Sequence, residues 1–290
     1  MLGKLIKHDF RALSRTLFPL QIGILGGGLV ATILSALSIR LSEASWAGAN
    51  GSNLVKMLLL GASVTVAVLI GVAIMASLFV TLILICYHFY RSFLADEGYL
   101  TFTLPVSTSQ LLWSKLLTGM FWMLINSVVV CIALAIYAVF GTTTNTLLNN
   151  DVLQAFRLFF TELLPQASQY VSIPVMSIET IVVGILGLAA QLLQIFFAII
   201  VGGQVAKKHR VLAAIGMYLL INMGVGIISS IFMSVVTFGE GVATLALNTA
   251  QEVGTFMSTI FGWYGVLFAG LSVMFFLISR SILKKNLNLQ

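Results

Sequence analysis

The sequence predicts an all-α, polytopic membrane protein with six transmembrane helices, and three observations predict it. Of 290 residues, 59% are hydrophobic and only 8% charged, against about 25% charged in an ordinary soluble domain. The mean hydropathy of +1.07 leaves too little polar surface to cover a globule of this size. The apolar stretches fall into six charge-free windows: Thr16 to Ile39, Met57 to Tyr90, Leu116 to Asn150, Thr180 to Ala206, Val211 to Gly239 and Val253 to Ser279. Each supplies the roughly 20 apolar residues that cross about 30 Å of hydrocarbon as a helix, the element that satisfies its own backbone in lipid. The alternation of a membrane barrel is absent, and an ordinary soluble enzyme is excluded by composition.

The chain, 1–290, reads as one transmembrane domain. In its first stretch, 1–16, Leu2, Leu5, Ile6, Phe10 and Leu13 recur at helical spacing while Lys4, Lys7, Arg11 and Arg15 take the other faces. That pattern describes a helix lying in the headgroup layer. No short apolar core with a small-residue cleavage site follows, so the stretch is not a cleavable signal. It serves either as an orientation signal or as a lever that moves with the first span.

The spans are expected at about 17–39, 57–90, 116–140, 175–206, 211–237 and 256–279. The second apolar run, if helical throughout, is about 50 Å long and must tilt or project beyond the bilayer. Gly23 and Gly27 form a G-x-x-x-G pattern that permits close packing in the first span. After the third span, Val152, Leu153, Phe156, Phe160 and Leu163 share one face of a short amphipathic helix expected to end at Pro165. Cys86 and Cys131 lie in apolar runs and read as small fillers, not as a disulfide.

When the loops alternate sides, twelve of the fifteen Lys and Arg fall on one side, leaving Arg40, Lys56 and Arg157 on the other. The positive-inside rule then places both termini in the cytoplasm. The net charge of +6 is explained by topology, so membrane lipids are the expected surroundings and nucleic acid is not an expected partner.

Chemistry is sparse. His8, His88 and His209 lie at or beyond the cytoplasmic span ends, with no carboxylate pair or cysteine cluster spaced as metal ligands. Gly61-Ala62-Ser63 looks like an intramembrane serine nucleophile, but no later span carries a histidine to act as its base. No Walker loop is present, and Gly26-Gly27-Gly28 sits inside the first span. No catalytic residue, metal or resident cofactor is therefore expected. The polar residues within the spans are the amides Gln21, Asn126, Gln191, Gln194 and Asn222, with Glu179 near an outer end. Such amides serve mainly as hydrogen bonds between helices. Asn126, Glu179, Gln191, Gln194 and Asn222 are also the candidates for a substrate pathway.

The loop after the second span is the most informative segment. Phe93, Leu94, Tyr99, Leu100, Phe102 and Leu104 make it too apolar for a loop in water, so another surface must cover it. Ser107 to Gln110 fits a capping box behind Pro105, predicting a helix that starts near Thr108 and runs into the third span. The stretch from Asp96 to Leu104 is then either a knob between two long helices, able to tilt both, or an interfacial turn with no partner.

The order of a basic amphipathic N-terminus, six spans, and the word Asp96-Glu97-Gly98-Tyr99-Leu100-Thr101-Phe102-Thr103-Leu104-Pro105-Val106-Ser107 before Leu111-Leu112-Trp113-Ser114-Lys115-Leu116 resembles the permease subunits of bacterial ATP-binding-cassette exporters, the type-2 permease family. The resemblance implies that this loop is a coupling helix docking on a separate ATPase subunit. Asp96, Glu97, Gly98, Tyr99, Phe102, Leu104 and Pro105 would be its contact residues. It further implies two ATPase copies that bind ATP and Mg, a second permease that is identical or related, and a place in the bacterial plasma membrane. Importer permeases carry a Glu-Ala-Ala signature with a spaced glycine in a later loop, and this chain has none, so export is expected. An antimicrobial peptide, a lipid-like molecule or a hydrophobic drug would suit a lining with so few charges. The alternative is a secondary transporter or channel that works without an ATPase.

Overall fold

A computed structural model describes residues 2–43, 52–94, 106–137, 157–158, 161–162, 164–168, 172–206, 209–244 and 250–287. The described residues hold seven α-helices and no strand. These are α1 (Leu2–Glu43), α2 (Ser52–Phe93), α3 (Thr108–Ile136), α4 (Leu164–Ser168), α5 (Ile173–Val205), α6 (Arg210–Thr244) and α7 (Ala250–Leu287). All but α4 are long and apolar enough to cross a membrane, six in all.

The helices overrun the apolar windows because a helix does not stop where hydrophobicity does. The basic stretch 1–16 and the first span are joined in one unbroken α1, with Pro19 inside it. Helix α7 continues past Ser279 to a last turn that carries Lys284 and Lys285, cations that suit the negative end of a helix dipole. Pro165 lies in the first turn of α4, where an early helical position has no intrahelical use for the missing N–H. Most of the amphipathic stretch 152–163 lies outside the described residues. At the start of α3 the capping box is present: the Gln110 N–H donates to Ser107 Oγ and the Ser107 N–H to Gln110 Oε1, both at 3.4 Å.

The chain divides into two compact units. The first comprises residues 1–9, 86–120 and 163–290, with α5 at its centre. From Ala190 to Gly202 α5 is buried on nearly every face, as expected of a helix that is apolar all round. Phe196 stacks on Phe89 of α2 with ring centroids 4.0 Å apart, and Phe197 meets Phe275 of α7 at 5.4 Å. Gly187 and Gly265 let α5 and α7 approach, with Phe268 and Val183 filling the space before them. Helix α6 is mostly exposed, presenting Leu212, Leu219, Leu220, Met223, Ile227 and Ile231.

The second unit comprises residues 10–85 and 121–162. Here α1 and α3 run in the same direction. Phe10 packs on Phe121 and Trp122, Gln21 bonds Asn126, and further along Gly28 faces Ala133. The close approach uses Gly28. No described atom lies within 4 Å of where a Cβ on Gly23 or Gly27 would sit, so the G-x-x-x-G pattern seen in the sequence is not a packing face among the described residues.

Candidate functional site

Among the described residues the densest polar cluster lies in the first unit, one to two turns inside the ends of three helices. It is built from Asp9 of α1, His88 of α2, and Ser114 and Lys115 of α3. Asp9 falls on the buried stripe of α1 that continues through Leu13, Leu17 and Gln21, each four residues on and so on one helix face. Lys4, Lys7, Arg11 and Arg15 are exposed. The carboxylate therefore points inward while the cations around it point out.

Lys115 Nζ donates to Asp9 Oδ1 at 2.5 Å, and Ser114 Oγ donates to Asp9 Oδ2 at 2.5 Å. His88 Nε2 lies 3.0 Å from Lys115 Nζ and 3.3 Å from Asp9 Oδ1. Lysine has donors only, so the shorter contact is a hydrogen bond when Nε2 accepts and the ring proton sits on Nδ1. Asp9 and Lys115 are 5% and 7% exposed, a buried ion pair. The grouping of Ser, His and Asp is not wired as a catalytic triad: Ser114 gives its proton to the carboxylate, whereas a triad places the imidazole between hydroxyl and acid.

A second set of contacts holds the end of α2 beside this cluster. The Arg210 guanidinium donates to the Leu94 carbonyl at 2.6 Å, satisfying an acceptor that a helix end leaves open. The Leu94 side chain lies directly over Gly203 of α5, where a Cβ would collide with it. The Leu94 border of residues 95–105 is thus tied to α5 and α6, while the Ser107 border is capped within α3 itself.

The coupling candidates Asp96, Glu97, Gly98, Tyr99, Phe102, Leu104 and Pro105 lie outside the described residues. Of the pathway candidates, Glu179, Gln191, Gln194 and Asn222 lie in the first unit and Asn126 in the second. Gln191 Nε2 donates to Tyr218 Oη at 2.8 Å, and Gln194 Nε2 donates to Asn222 Oδ1 at 3.2 Å, both joining α5 to α6. Glu179 accepts from Ser258 of α7 at 2.7 Å. Asn126 belongs to the second unit, where Gln21 Nε2 donates to its Oδ1 at 3.0 Å. Each is a hydrogen bond between helices, the role such amides most often fill in lipid. Gln194→Leu should accordingly lower the thermal stability of the purified protein by about 0.5–2 kcal/mol, read by unfolding in detergent. Unchanged stability with altered transport would instead mark Gln194 as a pathway residue.

Sequence reasoning missed Asp9 and gave Lys115 only a topological role. The signal was available: Asp9 stands four residues before Leu13 on the same face, and Lys115 interrupts the apolar start of the third span. An acid and a base at matching depth are a pair before they are two surface charges.

Fold and site together define a multi-pass helical membrane protein with a buried polar junction at one end of its helices. Comparison with protein families, with characterised proteins and with solved structures gives no match for this chain.

Proposed function

We propose that the chain is the permease subunit of an ATP-binding-cassette exporter in a bacterial plasma membrane. It would work with two ATPase subunits and a second permease. The observation that carries the reading is the apolar word from Asp96 to Ser107, joining the second and third of six membrane-length helices. Its border at Leu94 is tied to Arg210, and its border at Ser107 opens a capped helix that Lys115 and Ser114 join to Asp9. A knob mounted on fixed borders passes an applied push into the helices that carry it, whereas one on slack borders absorbs it. Asp96 and Glu97 would meet basic groups of the ATPase while Tyr99 and Phe102 fill an apolar groove. The distribution of positive charge supports a cytoplasmic position for this loop and both termini. Exported cargo would be a peptide, a lipid-like molecule or a hydrophobic drug.

Purification of the tagged chain in mild detergent with its neighbouring genes expressed should yield a stoichiometric partner with a Walker motif and ATPase activity. A folded chain that elutes alone from an intact operon overturns the reading in favour of a gradient-driven transporter. Replacing both Tyr99 and Phe102 by Ala should lower transport per ATP hydrolysed about tenfold or more while the fold persists. Normal transport by that variant removes the coupling assignment.

A further inference from the structure

We propose that Asp9, His88, Ser114 and Lys115 form a polar clasp that fastens the first turns of α1 to the end of α2 and the start of α3, so that the basic N-terminus and those two helix ends move as one body. The mechanical statement stands on geometry; its consequence for transport rests on the exporter reading. The four side chains come from three helices and meet within 3.3 Å or less. Both oxygens of Asp9 are engaged, Oδ1 by Lys115 and Oδ2 by Ser114. The carboxylate thereby grips two successive residues of α3 while His88 ties in α2.

Stability alone does not account for such a group. Desolvating an ion pair costs about as much as its attraction returns, and apolar side chains of similar volume would pack as well or better. What an ion pair supplies, and a greasy contact does not, is a single register: a shift of one residue along α1 would carry Asp9 out of reach of both donors. Leu13 and Leu17, on the same stripe, could slide against apolar neighbours at small cost. Asp9 cannot. The clasp also stands beside the other fixed points of the same unit: the Arg210 bond to the Leu94 carbonyl and Leu94 over Gly203. The end of α2, the start of α3 and the first turns of α1 are thus tied into one mount. Lys4, Lys7, Arg11 and Arg15 remain exposed on the moving part, available to headgroups or to a partner.

The test uses spin labels at Lys4 and Leu117, both exposed and both in the first unit, in the full chain with Cys86 and Cys131 replaced by Ala. A narrow label-to-label distance distribution is expected with the clasp intact. The double variant D9L/K115M, which strands no charge, should broaden it about twofold. An unchanged width overturns the clasp. If D9L/K115M yields no monodisperse protein, Asp9→Asn takes its place, with the same broadening expected and the same result overturning the proposal. In the complex with its ATPase, D9L/K115M should also lower transport per ATP about tenfold, a ratio that a loss of folded protein alone does not change. Broadening with a normal ratio keeps the tie and overturns its role in coupling. Absence of any ATPase partner for the wild type defeats the exporter reading, while the distance measurement still decides the clasp.

Discussion

Lys115→Met is expected to destabilise the protein by about 3–5 kcal/mol, because it removes the cation and leaves the carboxylate of Asp9 buried. Asp9 is 5% exposed, so water cannot take the place of the ammonium. Ser114 Oγ still donates to Oδ2 and His88 Nε2 still lies 3.3 Å from Oδ1, but neutral donors do not balance a whole charge. Thermal unfolding in detergent, followed by the loss of a monodisperse chromatographic peak, reads the effect. The double variant D9L/K115M should recover most of the loss, since a well-packed apolar pair replaces a buried ion pair at little cost. Single and double variants of equal instability would show that the cluster is not held by its charges.

Gly202→Ala is expected to cost about 1–3 kcal/mol or more, although alanine is the better helix former. A Cβ built there lies 2.5 Å from both Cα and N of Ala214, and 2.8 Å from the carbonyl carbon of Ala213. These are backbone atoms of α6, so no rotamer change can relieve the overlap and the two helices must part. The hydrogen bonds from Gln191 to Tyr218 and from Gln194 to Asn222 join the same helix pair and should weaken together with the contact. Gly216 is the control: no described atom lies within 4 Å of its would-be Cβ, and Gly216→Ala should be neutral or slightly stabilising by helix propensity. A neutral Gly202→Ala, measured by the same thermal unfolding, would mean that α5 and α6 do not pack at this position.

The two predictions separate what one dimension can carry from what it cannot. The six helices of membrane length were legible because the bilayer imposes a length and a composition on each segment, independent of its neighbours. The start of α3 was legible for a similar reason: Ser107 and Gln110 bond each other three residues apart, and a cap is a local event. That the amides would serve as hydrogen bonds between helices was also expected, since a polar group in lipid must find a partner.

Which partner each one found was a matter of tertiary structure. Gln21 meets Asn126 and Asp9 meets Lys115 across more than a hundred residues, and nothing in either local sequence names the other. Gly23 and Gly27 carried the packing pattern, yet Gly28 and Gly202 face the close neighbours, because the rotation of a helix about its axis is fixed only by the helices it meets. Sequence by itself determined that six helices are long and apolar enough to cross a membrane and that their polar groups must pair. Only the tertiary structure decided which faces turn inward, and so turned an acid among lysines and arginines into the buried half of an ion pair. The reason is physical: the bilayer acts on each segment separately, whereas burial and pairing are properties of at least two segments at once.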